Sequence, residues 1–214
     1  MKRRLILTAA AVTTMALVLS GCSNKKLIAQ QESQIDTLQT QIDALEADVV
    51  AERQRNEQLA GDLNRALADQ KSKEQVWIQQ RDGMMEITLD GEVAFPSGSA
   101  RITGAGQNII DQIWNVIDNY PDRTVLIEGH TDNVPIAVRF HEDYKSNWEL
   151  SSARAHAVLH YVIGTFGFDP TRIGAVGYGE FRPIDDNDSD MGRSRNRRVV
   201  ITVGPNRSSS PNLP

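Results

Sequence analysis

The stretch that decides the fold runs from Arg123 to Gly167 and reads RTVLIEGHTDNVPIAVRFHEDYKSNWELSSARAHAVLHYVIGTFG. Its first eight residues form a short apolar run typical of a strand. From Ser146 onward the apolar spacing predicts a helix, with Ser146 and Glu149 as one candidate capping box and Ser151 as the alternative cap. Asp132 follows the strand and Arg154 lies near the start of the helix. Two interpretations stay open: a structural salt bridge between this acid and base, or a site for a ligand that carries both charges.

The segments before this stretch predict strands and a second helix. MMEITLDGEVAFPSGSARIT, residues 84–103, alternates apolar and polar residues around 86–89 and 92–95. We expect a hairpin or two short strands there, with Asp90-Gly91 as the turn. GQNIIDQIWNVIDNYP, residues 106–121, has the apolar face of a helix that ends before its proline.

The segments after it predict two more strands, RIGAVGYGE at residues 172–180 and RRVVITV at residues 197–203. The loop between them is rich in Pro, Asp, Gly and Ser. The resulting order is β-α-β-α-β-β. Helices that alternate with strands predict an α+β sandwich with the helices on one face of a sheet. We assign residues 77–204 to this domain and expect the polar tail, residues 205–214, to be disordered.

The N-terminal residues MKRRLILTAAAVTTMALVLSGC have the layout of a secretory signal peptide, with a basic start, an apolar run and small residues. Leu19 to Cys22 resembles the bacterial lipobox. This resemblance implies cleavage after residue 21 and lipid on Cys22, and Ser23 in the next position favours the outer membrane. The alternative is an uncleaved anchor helix. Residues 1–21 carry three of the positive charges, so their removal takes the net charge from −5 to −8.

Residues 22–76 are predicted to form a spacer. Apolar residues recur at three and four positions, with Ile35, Ile42 and Val49 at a and Leu38 and Leu45 at d. This pattern predicts a long helix preceding the globular domain that dimerises as a parallel coiled coil, making the protein a homodimer. We expect the seam to resume at Leu59 and Leu63 after Asn56, which would fix the register at an a position. The alternative is a single polar helix that dimerises weakly.

Five motifs carry a family resemblance, and they occur in the family's order: FPSGSARIT, VLIEGHTDNVPI, SNWELSSARAHAVLHYV, GYGEFRPIDDND and GRSRNRRVVITV. Together they resemble the OmpA-like peptidoglycan-binding domain, in the branch that includes the C-terminal domain of flagellar stator proteins. The resemblance covers about residues 92–203. It implies noncovalent binding of peptidoglycan through the diaminopimelate of its stem peptide.

The resemblance also implies which residues bind. Asp132 matches the family's acid for the ligand ammonium, and Arg154 matches its base for the ligand carboxylate. Further residues match the borders of the same pocket: Phe95, Ser97, Gly98, Thr131, Asn147, Leu150, Arg197 and Arg198. For the last two, the alternative is pairing with local acids such as Asp185 and Asp186. The long loop between Asp132 and Ser146 is expected either to modify specificity or to contact a partner.

Other chemistries are not predicted. An acidic chain is a poor nucleic-acid binder. His156 and His160 lack the glutamate of a zinc-protease motif, and no serine or cysteine has the setting of a nucleophile. We therefore expect no cofactor, no metal and no enzymatic activity. The expected protein is an outer-membrane lipoprotein, with its soluble domain in the periplasm, that tethers the membrane to the cell wall. The alternative is a wall-anchoring accessory of a flagellar or secretion machine.

Overall fold

A computed structural model describes residues 24–206 in full and residues 2–23 only as part of the first helix. The expected signal peptide, the Cys22 side chain and most of the expected tail therefore lie outside the described residues. The helices are α1 (Lys2–Ala66), α2 (Ala68–Ser72), α3 (Gly91–Ala94), α4 (Gly104–Ile117), α5 (Asn147–Phe166) and α6 (Asp190–Asn196). The strands are β1 (Val76–Arg81), β2 (Met84–Asp90), β3 (Arg123–His130), β4 (Ile173–Gly177) and β5 (Arg198–Pro205).

The five strands form one sheet in the order β1-β2-β5-β3-β4. β3 and β4 are parallel, and α5 connects them; the other neighbouring strands are antiparallel. The α+β class and the placement of the helices between strands are confirmed. β5 lies in the middle of the sheet, which explains why its residues are buried along almost its whole length.

The predicted hairpin is wrong in its position. The tight turn is Asp82-Gly83, where both residues have positive φ, 51° and 76°. Positive φ at both central residues is typical of a type I′ turn, and Asn-Gly and Asp-Gly favour that turn because they adopt left-handed backbone readily. At the second Asp-Gly, the Asp90 carboxylate accepts hydrogen bonds from the amides of Glu92 and Val93 at 2.7 and 3.1 Å. It therefore caps α3, and the strand expected at residues 92–95 is a helical turn followed by loop.

One face of the sheet packs against α4, α5 and the end of α1. Alternate residues of β2, β3 and β5 enter the core, together with the apolar face of α4, in which Trp114 is fully buried. α5 lies close to β3 because position 129 is glycine: a Cβ there would stand 2.0 Å from the Ser151 carbonyl oxygen. This close approach places the start of α5 beside the end of β3. Of the two candidate caps of α5, Ser146 is the one that caps it, since its hydroxyl accepts a hydrogen bond from the Trp148 amide at 3.2 Å.

The last turns of α1 belong to the globular domain. The chain divides into two compact units, residues 1–52 and 53–214. Leu59, Leu63 and Leu67 are fully buried in the core of the second unit. The buried Asn56 amide donates to the Gly83 carbonyl at 2.9 Å, and the Tyr120 hydroxyl donates to the Asp62 carboxylate at 2.7 Å. The apolar seam thus serves the chain's own core from Asn56 onward.

Earlier in α1 the apolar stripe is exposed. Its members are all between 47% and 65% exposed: Ile28, Ile35, Leu38, Ile42, Leu45 and Val49. A second copy of this helix is the predicted partner of this stripe, and that dimer stays a prediction. Among the described residues, no helix combines the length and the apolar character that crossing a membrane requires.

Candidate functional site

One cavity of about 580 Å³ contains most of the predicted site residues. It lies where the end of β3, the start of α5, α3, the loop after α3 and the start of β5 come together. Its lining residues are Gly91, Glu92, Phe95, Pro96, Ser97, Gly98, Thr131, Asp132, Val134, Pro135, Ile136, Ala137, Arg139, Phe140, Asn147, Leu150, Arg154 and Arg197. The ends of separate elements thus converge on one concave surface, as is usual for ligand sites.

Arg154 is the most deeply held charge of the cavity. It is 4% exposed, and its Nε donates to the Ser99 carbonyl oxygen at 3.0 Å. The guanidinium also lies 5.3 Å from the centre of the Phe95 ring. Burial lowers the pKa of Arg154 to about 10, so it stays a cation at neutral pH. No carboxylate pairs with it among the described residues, although buried charges are normally paired.

Asp132 is held by a different arginine. Its Oδ1 accepts a hydrogen bond from the Val134 amide at 3.0 Å, and its Oδ2 forms an ion pair with Arg197. The Arg197 guanidinium also pairs with Glu92 on the cavity rim. Burial alone would lower the pKa of Arg197, but its hydrogen bonds with Asp132 and Glu92 raise it. Asp132 and Arg154 therefore line one cavity without forming the ion pair that the sequence left open.

Two neutral polar side chains lie beside the charged residues of the cavity. Thr131 is 4% exposed, and its hydroxyl has no hydrogen-bond partner among the described residues. The Asn147 amide nitrogen donates to the carbonyl oxygens of Asp132 and Val134 at 3.2 and 3.1 Å and to Glu180 at 2.6 Å. Asn147 therefore ties the start of α5 to the loop after β3 and holds Asp132 in position.

The long loop after Asp132 forms one wall of the cavity. Residues 134–137 line it together with Arg139 and Phe140 of a short 3₁₀ helix (Val138–Phe140), and the Phe140 ring packs directly on Gly98. A Cβ at Gly98 would stand 2.2 Å from Cε2 of Phe140, and Gly98 also has a positive φ of 64°. This contact joins the loop to the opposite wall. The sequence left open whether the loop shapes the site or meets a partner; its position favours the first.

Arg198 is the predicted residue that does not line the cavity. Its guanidinium is buried on the other face of the sheet and donates to the carbonyl oxygens of Asn196 and Arg182 at 3.1 and 3.0 Å. Neighbouring residues of an extended chain point to opposite sides, so Arg197 and Arg198 cannot share a site. Asp185 pairs with Arg195, at 2.8 Å. Glu92 is a cavity residue that we did not predict as part of the site.

This arrangement is that of a known domain class. Residues 94–197 match the OmpA family, and the chain contains an OmpA family domain at those residues. The family resemblance and the fold expected from it are therefore confirmed.

Individual relatives extend the likeness beyond that domain. Motility protein B of Bacillus subtilis is 30% identical over 162 residues, which cover 76% of this chain and 61% of that protein. The chain thus spans less than two thirds of the length of this relative. A MotB-like protein from Desulfovibrio vulgaris has a similar structure, with a TM-score of 0.65 at 25% identity over 71% of this chain and 92% of that one. The cell wall anchor of the T6SS from Pseudomonas aeruginosa has a TM-score of 0.60 at 36% identity, over 67% and 96%.

Proposed function

We propose that this protein binds peptidoglycan noncovalently, through the zwitterionic end of diaminopimelate in the stem peptide, without catalysis. The observation that carries the proposal is the buried Arg154, a cation without a carboxylate partner in a cavity that also contains Asp132. A protein keeps an unpaired buried charge at a cost in stability, so such a charge points to a ligand that completes it. The kinship with a cell wall anchor supports the same conclusion.

The chemistry of diaminopimelate matches the two charges. Its free end carries one ammonium and one carboxylate on the same carbon. Arg154 donates from its Nε to Ser99 and from one terminal nitrogen to the Pro96 carbonyl oxygen at 3.5 Å. Each terminal nitrogen still has an N–H for a carboxylate, which the two can bind as a fork. Asp132 is the acceptor for the ammonium, and the unpartnered Thr131 hydroxyl can add a further hydrogen bond to the ligand. A stem peptide with lysine in this position has the ammonium but lacks the carboxylate, so Arg154 is the residue that discriminates between them.

Ligand binding would change the ion pair that Asp132 forms with Arg197. In the structure Arg197 neutralises Asp132, and Glu92 on the rim pairs with the same guanidinium. When the ligand ammonium reaches Asp132, Arg197 can shift its pairing towards Glu92 and remain paired. The acid is therefore never left as an uncompensated buried charge, which would cost several kcal/mol by rough estimate.

At the level of the cell, we propose a tether. Lipid on Cys22 would anchor the chain in the outer membrane, and the helical segment before the domain would pair with a second copy and space the domain from that membrane. The stem peptide would hold the other end in the periplasm. The N-terminal sequence pattern and the exposed stripe of α1 support these two parts.

A second candidate is an accessory that anchors a flagellar or secretion machine to the wall by the same domain. The matches to Motility protein B and to the T6SS anchor favour it, because they cover more of this chain than the OmpA domain alone. Cross-linking in the native host separates the two. A machine accessory will be recovered with subunits of that machine, whereas a tether will be recovered with peptidoglycan and its own second copy.

The binding proposal is tested by sedimentation of the detergent-solubilised full chain with purified sacculi. Asp132→Asn and Arg154→Lys keep the size, and the second also keeps the charge, so both should fold. We expect each to weaken binding by about 10- to 100-fold, the loss typical of one charge-assisted hydrogen-bonded partner. Soluble stem peptide with diaminopimelate should compete with the sacculi, and the lysine form should not.

Two exposed charges outside the cavity provide matched controls. Arg101→Lys and Asp188→Asn make the same chemical changes away from the lining residues and should bind like wild type. Melting curves confirm that all variants are folded. Equal sedimentation of all variants would show that the cavity is not the binding site, and lysis of the sacculi would reject binding without catalysis.

A further inference from the structure

The charged residues of the cavity leave one cation that diaminopimelate does not use. Two acids, Glu92 and Asp132, and three arginines, Arg139, Arg154 and Arg197, line it. Arg197 pairs with both acids, and Arg154 is assigned to the ligand carboxylate. Arg139 has no carboxylate partner among the described residues. A zwitterion adds no net charge, so the filled cavity would keep an excess of one positive charge, at Arg139.

Arg139 is held in place at the rim. Its guanidinium carbon lies 4.7 Å from the centre of the Phe140 ring, and that ring packs on Gly98 across the cavity. The loop around it is internally bonded: the Phe140 amide donates to the Ala137 carbonyl at 2.8 Å, and a His141 ring nitrogen bonds the Ile136 carbonyl at 2.9 Å. A guanidinium on an aromatic face keeps its edge free to donate, which is how arginine binds planar anions.

We propose that Arg139 forms a second subsite, which binds another carboxylate of the stem peptide. This inference rests on the proposed function and assigns a ligand group to the long loop. A stem tetrapeptide offers two such groups besides the free end of diaminopimelate. One is the α-carboxylate of the D-glutamate, which is linked through its γ-carboxyl, and the other is the C-terminal carboxylate of the D-alanine. Both are the same chemistry, and amidation of either one removes its charge.

The test measures binding of three synthetic tetrapeptides to the full chain by calorimetry. The first, L-Ala-γ-D-Glu-meso-diaminopimelate-D-Ala, has both carboxylates free; the second has the glutamate α-carboxyl as an amide, and the third has the alanine carboxyl as an amide. Arg139→Gln removes the cation. Arg101→Gln, also exposed but outside the cavity lining, is the matched control, and Asp132→Asn reports on the diaminopimelate site.

We expect Arg139→Gln to bind the unmodified peptide about 5-fold more weakly, the size of a partly exposed ion pair. One of the two amidated peptides should bind wild type more weakly by the same factor. Arg139→Gln should bind that peptide and the unmodified one equally, because the ion pair is already absent from this variant. The amide that does so identifies the source of the carboxylate. Arg101→Gln should bind like wild type.

The failures are distinguishable. If wild type binds, Asp132→Asn binds more weakly, and Arg139→Gln binds like wild type, the second subsite is rejected and the proposed function stands. The same holds if Arg139→Gln is weaker but neither amide affects wild type. If wild type binds none of the peptides, the proposed function and the subsite are rejected together.

Discussion

The two halves of α1 carry similar apolar spacing in opposite surroundings. Leu38 and Ile42 in the first half are 57% and 47% exposed, whereas Leu59 and Leu63 in the second half are fully buried in the globular domain. The spacing of apolar residues indicates that a helix buries one face, but not against what. In the second half the partner is the core of the chain's own globular domain, and in the first half it is, by our prediction, another copy of the chain.

The largest expected effect on the stability of the domain is that of a leucine substitution in the second half of α1. Leu63→Ala removes a fully buried side chain and leaves a cavity in the core. It should lower the free energy of unfolding of the domain by about 2–5 kcal/mol. The three tryptophans, at positions 77, 114 and 148, all lie in the second compact unit, so denaturation followed by their fluorescence reports on that unit. A loss below 0.5 kcal/mol, the usual range for surface positions, would contradict the assignment of Leu63 to the core.

Asn56 tests the same boundary with a polar residue. Asn56→Ala removes the hydrogen bond to the Gly83 carbonyl and should lower the free energy of unfolding by about 1–2 kcal/mol. In a coiled coil, by contrast, an asparagine at an a position costs stability, so its replacement by leucine would strengthen dimerisation. Asn56→Leu followed by analytical ultracentrifugation therefore discriminates: unchanged self-association supports the contact with Gly83.

The hydrogen bond between Tyr120 and Asp62, which attaches the end of α1 to the domain, depends on pH. Burial, and then the hydrogen bond to Asp62, raise the pKa of Tyr120 to about 12. The folded state thus holds the phenol proton more tightly than the unfolded chain, whose tyrosine titrates near pH 10. The stabilisation is complete below about pH 10 and is lost as the pH rises towards 12. Tyr120→Phe should cost about 1 kcal/mol at pH 7 and progressively less above pH 10, measured by denaturation at each pH.

The smallest expected effect on the domain is that of Leu38→Ala. This change has the chemistry of Leu63→Ala but lies on the exposed stripe, so the free energy of unfolding should stay within about 0.5 kcal/mol of wild type. Self-association should weaken roughly 10-fold or more, because each helix of the pair loses a seam leucine. A full chain that is monomeric at high micromolar concentration, before any substitution, would reject the dimer.

The parts of the fold that the sequence predicts are those with local signals. β3, α4, α5 and β5 follow from apolar periodicity and from caps such as Ser146. The hairpin was misplaced because the chain has two Asp-Gly pairs, and only the strand before Asp82 distinguishes the turn from the cap at Asp90. α6 was missed in a polar loop, although Ser189 accepts a hydrogen bond from the Gly192 amide at 3.0 Å and gives a local start signal.

The site residues also differ in how far the sequence predicts them. The motifs predict Asp132 and Arg154 as site residues, and both line one cavity in the structure. Arg197 pairs with Asp132, which is 65 positions away in the sequence, and with Glu92, which is 105 positions away. No local pattern signals such contacts, because they depend on which strands become neighbours. The choice between Arg197 and Arg198 likewise required knowing which face of the sheet each one occupies.

The junction between α1 and the domain has a mechanical consequence. Asn56 attaches the helix to the hairpin turn, Leu63 to the core, and Asp62 to Tyr120 in the loop before β3. Tension that arrives at Arg53 would therefore act on a helix end that has three attachments to the domain. For a tether of the kind proposed here, the loss of any one of these attachments leaves the helix held by the other two.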